Sequence, residues 1–589
     1  MRRLLVCNLL TALPLLASGW AVAENKTPDP TSLLQQADAA ARDPLVSPVQ
    51  RIERSVLLQM PTTDGSQSPW PSIDGSNNDP ANPQENMAGM PLRRRMAAAY
   101  ADGVAAMAGA DRPSARQVSN LVHAQDQSRV NLRGATDFLW QWGQFIDHDM
   151  DLSDGTNPPE LAAIAVPAGD PWFDPDGTGT QSIVFNRSIY DHDSGTGPDH
   201  PREQINEITG WLDASMVYGS DADRAAALRS FEGGRLATSD GQMLPFNTTG
   251  LPNAGGSGSE LFLAGDVRAN EQVGLAAMHT LFVREHNFWA GELALADPTL
   301  DDEGLYQRAR MIVAGEIQAI TYREFLPMLL GANAIAPYQG YRPEMNAHIA
   351  NSFSTAGYRI GHSLLSPQLL RLNADGTEVP QGHLSLREAF FAPQRLQEAG
   401  IDPILRGLAA QHCQDLDIYV IDDVRNFLFG QPGQGGFDLP ALNIQRGRDH
   451  GLPSFVEARV AMGGKRLDDF TDIGANAAVT QRLAQAYADV SQMDLWTGLL
   501  AEPHAQDGMV GPTLKHLLSE QFTALRDGDR FYYENWASPS LREQISSTRL
   551  ADVIRRNTDI GDELPDLVFG VASPSNGSRR QIVPTRLRD

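Results

Sequence analysis

The sequence predicts a mainly α-helical protein, built as one large catalytic domain with long loops and few short strands. Three observations point there. Long segments repeat apolar residues every three or four positions, Gly, Pro and Asp turns punctuate them, and no internal repeat or linker divides residues 70 to 575. With 41% apolar and 20% charged residues in 589, the chain has enough apolar side chains for a sizeable core.

Taken in order, residues 1–23 read as a secretory signal peptide: Arg2 and Arg3, a short apolar run, then Ala21-Val22-Ala23 before Glu24. The run is too short to span a bilayer, and no later stretch reaches the roughly 18 apolar residues a span needs. The expectation is a secreted or periplasmic protein cleaved near Ala23. Residues 24–69 are polar and turn-rich apart from "TSLLQQADAAARD" and read as an N-terminal arm, with a C-terminal tail at 576–589. The net charge of -26 argues against nucleic acid or anionic membranes as partners. Of two cysteines, Cys7 leaves with the signal and Cys413 is left without an intramolecular partner, so core, cofactor or metals must stabilise the exported chain.

Within the domain, "WQWGQFIDHDMDLS" from Trp140 crowds polar groups among large apolar side chains. On a helix turning about 100° per residue, Gln144, Asp147, His148 and Asp151 share one face, and Phe138, Trp142, Phe145, Ile146 and Met150 take the other. Asp149 falls inside the apolar set. An uncompensated carboxylate there costs several kcal/mol or stays protonated, a problem that a bound cation resolves. The segment "TGWLDASMVYGS" offers further oxygen ligands in Thr209, Asp213 and Ser215, with the Trp211 carbonyl between them. That set suits calcium, and the lack of His or Cys argues against zinc.

The loop from Asp154 to about Pro201 contains "GDPWFDPDGTGTQ", which lacks the full EF-hand pattern and reads as Asp-Gly turns. Downstream, "GLAAMHTLFVREHNFWAGELA" and "GLYQRARMIVAGEIQAITYREFLPMLL" have helical spacing, and "DLDIYVIDD" has the alternation of a short strand. His279, Glu285 and His286 match no zinc-hydrolase spacing and read as packing and polar contacts, as does His450.

"GQFIDHDMD", "DASMVYGS", "AGDVRANEQVGLAAMHTLFVREHN", "FSTAGYRIGHSLLSPQLLRL" and "DVRNFLFGQPGQGGFDLPALNIQRGRDHGLP", in that order, closely resemble the animal-type heme peroxidases of the peroxidase-cyclooxygenase superfamily. The resemblance runs from about residue 70 to 575. It implies heme b, with His362 as proximal iron ligand and Asn443 as partner of its other ring nitrogen. His148, Arg268 and Gln144 become the distal catalytic group, and Arg359 and Arg446 lie near the heme. Asp147 and Glu271 match carboxylates that form ester links to heme. Asp149, Thr209, Trp211, Asp213 and Ser215 match a calcium site. The implied reaction uses hydrogen peroxide to oxidise bromide, iodide, thiocyanate or small aromatic donors through a high-valent iron-oxo intermediate.

The sequence departs from the family pattern at Gln272, where a myeloperoxidase-like methionine would make a third heme bond, so chloride oxidation is not expected. A fatty-acid dioxygenase of the same superfamily needs a radical tyrosine three residues before the proximal histidine; Arg359 stands there, with Tyr358 one position off. A calcium-binding adhesion or matrix protein on a peroxidase scaffold is the third reading.

Overall fold

The computed structural model describes residues 68–570, which fall inside one compact unit, Glu53–Asp589. The expected signal peptide at 1–23, nearly all of the expected N-terminal arm and the expected C-terminal tail lie outside the described residues. Helices dominate. Strand among the described residues is confined to three antiparallel pairs of two-residue strands: β1 (Met90–Pro91) with β4 (Ile205–Asn206), β2 (Ile164–Ala165) with β3 (Ser182–Ile183), and β5 (Gln368–Leu369) with β6 (Leu384–Ser385). Pairs this short clip loops together and leave packing to the helices. The expected strand at "DLDIYVIDD" does not form. Asp417 Oδ1 accepts the Tyr419 N–H at 2.7 Å, a local turn that competes with extension, and only Val420 bridges to another segment, at Ala124.

Helix α1 (Phe138–Met150) is the two-faced helix expected from its sequence. Phe138, Trp142, Phe145, Ile146 and Met150 are fully buried, each worth about 1.5–3 kcal/mol relative to exposure. The helix stops at Met150, and Asp151 is an extended cap. Asp151 therefore leaves the helical face on which the spacing put it.

Two helices back α1. One is α3 (Val273–Ala296), whose Phe282 stacks on Phe145 with centroids 5.1 Å apart. The other is α4 (Asp302–Ile320), tied to α3 by Trp289 Nε1 donating to Glu316 Oε2 at 3.1 Å. Beyond α4 the helical path widens into a π-turn over Thr321–Phe325 before Pro327, whose missing N–H cannot continue a regular ladder. Short helix α2 (Ser215–Tyr218) follows the "LDA" loop. Helix α5 (Leu439–Asp449) begins at Asp438, whose side chain caps the Ala441 N–H, with Pro440 in the first turn.

The long loop expected from Asp154 to Pro201 is braced by the β2–β3 pair. Its carboxylates face their own chain. Asp174 accepts from the backbone of Gly169, Thr178 and Gly179 and from the Thr178 hydroxyl, while Asp170 pairs with buried Arg116. No described helix is long and apolar enough to cross a membrane.

Candidate active site

Between α1 and α3 the polar residues of the central motifs come together. His148 is 4% exposed. Burial, with the Arg268 charge nearby, pushes its pKa well below the ordinary value, so the ring is neutral at pH 7. Its Nδ1 is buried with no hydrogen-bond partner, and Asp266 Oδ1 lies 3.5 Å from it. Arg268 is fixed more firmly. Its Nε and Nη2 donate to the two oxygens of Asp266 at 2.9 and 2.8 Å, and Nη2 also reaches the Asp151 carbonyl at 2.9 Å.

A chain of amides continues the site. Gln144 Nε2 donates to Glu271 Oε2 at 3.1 Å, and Gln272 Nε2 donates to Gln144 Oε1 at 3.1 Å and Gln141 Oε1 at 2.7 Å. Gln272 Oε1 in turn caps α3 by accepting the Gly274 N–H. Burial raises the Glu271 pKa to about 7 and lifts Asp147 well above the carboxylate range, the neighbouring Asp151 adding to the second effect. Asp147 lies 3.8 Å from Arg268 Nη1 and keeps 26% side-chain exposure.

Facing α1 is a segment with two changes of helical pitch, a π-turn over Phe353–Gly357 followed by a 3₁₀ turn over Tyr358–Ser363; α1 and α5 both pack on the latter. His362 projects from that turn. Burial pushes its pKa down to about 3, leaving a neutral ring with a free lone pair. Its Nδ1 lies 2.7 Å from Asn443 Nδ2, while the buried Asn443 Oδ1 has no partner. A half-turn of the amide exchanges those two atoms without changing its shape. Oδ1 then accepts the Nδ1–H of His362 and leaves Nε2 bare, the form a metal ligand needs. There is room beside it: a Cβ added to Gly361 would meet no heavy atom within 4 Å. A neutral, half-buried imidazole, an orphaned amide oxygen behind it and open space beside it at Gly361 fit heme ligation.

Arg359 donates to the Ser354 carbonyl at 3.1 Å. Arg446 bonds the Asn186 carbonyl, Ser188 Oγ and Asp449 at 2.8–3.0 Å. Burial brings its pKa down to about 10, so it remains cationic at neutral pH.

On the other side of α1, Asp149 is fully buried. Ser215 Oγ donates to its Oδ1 at 2.8 Å and the Ala214 N–H to its Oδ2 at 3.0 Å. Ala214 makes this reach by adopting a left-handed φ of +67°, a strain of order 1 kcal/mol for a non-glycine residue. Asp213 accepts from Thr209 Oγ1 at 3.1 Å, and Thr209 Oγ1 also accepts the Trp211 N–H. Burial raises both carboxylates, Asp213 to about 6, and neither forms an ion pair among the described residues. Two buried carboxylates, two hydroxyls and adjacent carbonyls are hard-oxygen donors of the kind calcium takes. The described residues contain no group of three or more His, Cys, Asp or Glu able to hold a metal.

The residues set aside in the sequence do not converge on a second centre. His286 bonds the Gly234 carbonyl and Tyr218 hydroxyl, Glu285 pairs with Arg556, and His450 bonds Ser188, Thr355 and Asn351. His279 packs edge-on against Phe145. One polar residue central to the site had no role assigned from sequence: Asp266, in "AGDVRAN". Its signal was legible, since an Asp two residues before an Arg closes a tight turn, and Asp266 Oδ1 does accept the Arg268 N–H at 2.8 Å.

Comparison with known proteins finds relatives over most of the chain. The family model for animal haem peroxidase matches residues 70–569. Mouse peroxidasin homolog is 38% identical over 487 residues, covering 75% of this chain and 33% of that protein, so the chain spans about a third of that relative's length. The solved structure of peroxidase A from Dictyostelium discoideum superposes with a TM-score of 0.79 at 33% identity, over 86% of this chain and all of the other. A fatty acid alpha-dioxygenase from Arabidopsis thaliana shares the fold, with a TM-score of 0.74 at 20% identity over 90% of this chain and 89% of that one. By the match over nearly its whole described length, the chain belongs to the animal haem peroxidase family.

Proposed function

We propose that the protein is an exported heme peroxidase that uses hydrogen peroxide to oxidise small anions or small aromatic donors. The observation that carries this reading is the pairing of two half-sites on elements packed together: the His362–Asn443 couple on one side, and His148, Arg268 and Gln144 on the other. Bound heme would supply the iron at which peroxide is cleaved and would store the oxidising equivalents.

The chain's own residues do the rest. His148, neutral by burial, can take a proton from one oxygen of hydrogen peroxide and return it to the other as the O–O bond breaks. Arg268, cationic throughout, stabilises negative charge on the oxygen that leaves. Gln144 offers an amide to water or an anionic donor, and Asn443 orients His362 and strengthens it as a ligand. Asp147 and Glu271 are carboxyls that burial drives toward the neutral form. An ester to heme would also be neutral, so linkage through them would keep the site free of the charge that burial disfavours.

The donor class rests on two features. Gln272 is turned toward Gln141 and Gln144 and brings no thioether to the site, which favours bromide, iodide or thiocyanate over chloride. Phe390, Phe391 and Phe429 form a cluster with ring centroids 5.0–5.2 Å apart. This cluster adjoins Glu271 through the Phe391 N–H, 3.3 Å from the Glu271 carbonyl. Phe429 is 39% exposed, offering an apolar face to an aromatic donor. The dioxygenase reading is disfavoured by Arg359 at the position where that chemistry needs a tyrosine. The experiment is steady-state oxidation of bromide, iodide, thiocyanate, chloride and a simple phenol by peroxide. Turnover of the first three or the phenol, with chloride slowest, is expected; peroxide-independent oxygenation of a fatty acid with no peroxidase turnover would replace this reading with the dioxygenase.

A further inference from the structure

We propose that Asp266 is a positioning residue for peroxide cleavage, one carboxylate that sets the direction of both Arg268 and His148. The inference rests on the heme peroxidase reading and assigns a residue which that reading leaves without a part.

The geometry is specific. Asp266 is 3% exposed, and its backbone N–H is anchored to the Met216 carbonyl at 3.1 Å, one residue from the Asp149-binding hydroxyl of Ser215. Its two oxygens engage Arg268 side-on through Nε and Nη2, and Oδ1 also takes the Arg268 backbone N–H. A bidentate pair of this kind leaves a planar guanidinium little freedom. With Nε and Nη2 committed to Asp266 and Nη2 also on the Asp151 carbonyl, Nη1 is the nitrogen left to meet a ligand; its nearest ionic neighbour is Asp147, at 3.8 Å.

The same Oδ1 lies 3.5 Å from His148 Nδ1, a buried nitrogen with no other partner. A small ring rotation closes that gap into an Nδ1–H···O bond. With the proton held on Nδ1, Nε2 carries the bare lone pair that a base needs. Without Asp266 the ring has no buried acceptor to select that tautomer, and the guanidinium loses the partner that aims it. Burial opposes ionisation of Asp266, yet Arg268 and His148 hold it well below the usual carboxylate range, so the acceptor is charged across the working pH range. Asp266 touches neither peroxide nor heme in this role; it acts through its two neighbours.

The test uses the full-length, heme-loaded protein with Asp266→Asn, which keeps the shape, and Asp266→Ala. Stopped-flow spectroscopy measures the bimolecular reaction with peroxide, and titration of the ferric protein with fluoride reads the distal donors at equilibrium, without turnover. Heme content, the resting Soret band and Tm report on folding. The expected result is a loss of about a hundredfold in the peroxide reaction, within the range for a displaced general base, with fluoride affinity down about tenfold or more. The turnover number at saturating peroxide, where donor oxidation limits, should change far less. If Asp266→Ala does not fold, Asp266→Asn decides. The proposal is overturned if Asp266→Asn binds heme and reacts with peroxide within about threefold of the parent. It is also overturned if peroxide reactivity, donor-limited turnover and heme content all fall in the same proportion, which marks a purely structural role. A parent protein with no Soret band would instead defeat the peroxidase reading itself.

Discussion

We propose that calcium binds at Asp149 and Asp213; removing it should then cost the protein stability in a way that depends on pH, and the size of the effect follows from those two carboxylates. Burial raises Asp213 from 3.8 to about 6, so ionising it at neutral pH without a cation costs about 3 kcal/mol. Asp149, deeper and beside it, is shifted in the same direction. A carboxyl whose pKa is raised on folding stabilises the fold below its unfolded pKa, near 4, and loses that contribution as pH climbs through 6. The calcium-free protein should therefore weaken across pH 4 to 7. A divalent cation relieves the cost, and at a hundredfold excess over Kd it contributes about 2.7 kcal/mol. Unfolding entropy of about 2 cal/mol/K per residue makes that a rise in Tm of roughly 3 °C for a body of this size. The assay is thermal melting in EDTA, with excess calcium and with excess magnesium, at pH 5 and 7.5. Calcium should raise Tm at pH 7.5, do so less at pH 5 where protons compete, and exceed magnesium. Asp213→Asn should abolish the rise while melting higher than the parent in EDTA at pH 7.5. A parent protein indifferent to calcium, or an Asp213→Asn variant that keeps the shift, refutes the reasoning.

Asn443→Ala should lower heme affinity or peroxidase activity by about 10- to 100-fold, since it removes the group that orients the proximal ligand; heme titration and turnover check it, and unchanged values would mean that His362 needs no orienting partner. Glu271→Gln together with Asp147→Asn should release all heme into acidified organic solvent, whereas the parent retains part of it on the denatured chain; full release from the parent would show that no ester forms. Asp137, buried with Ser366 donating to it and its pKa pushed up to about 7, should penalise folding above that pH by up to about 4 kcal/mol. Asp137→Asn should accordingly melt a few degrees higher than the parent at pH 8 and about equally at pH 5, and an equal or lower melting point at pH 8 would contradict this.

Much of the site was legible because one helix had to reconcile two chemistries. The spacing of Gln144, Asp147 and His148 against Trp142, Phe145 and Met150 reports directly which side faces the core, and the displaced Asp149 marks where burial needs compensation. Other features depend on contacts between distant segments. The π-turn over Phe353–Gly357 and the 3₁₀ turn over Tyr358–Ser363 lie where distant helices pack, α5 on both and α1 on the second, and such contacts are not visible in local spacing. Alternation in "DLDIYVIDD" suggested a strand because it records burial, but no neighbouring strand supplies the ladder, and Asp417 turns the backbone instead. Asp151 left its helical face because α1 ends one residue earlier, and its carbonyl became a partner of Arg268. Asp266 shows a different gap: its turn with Arg268 is readable, whereas its approach to His148 exists only once α1 is folded against it.

The central claim, that this chain binds heme through His362 and reacts with peroxide, is tested most directly by the visible absorption spectrum of the purified protein before and after one equivalent of hydrogen peroxide, with His362→Ala alongside. A strong Soret band that shifts on peroxide addition, and that is weakened or altered in the variant, is the predicted result. A folded protein, expressed with ample heme, that shows no Soret band would contradict it.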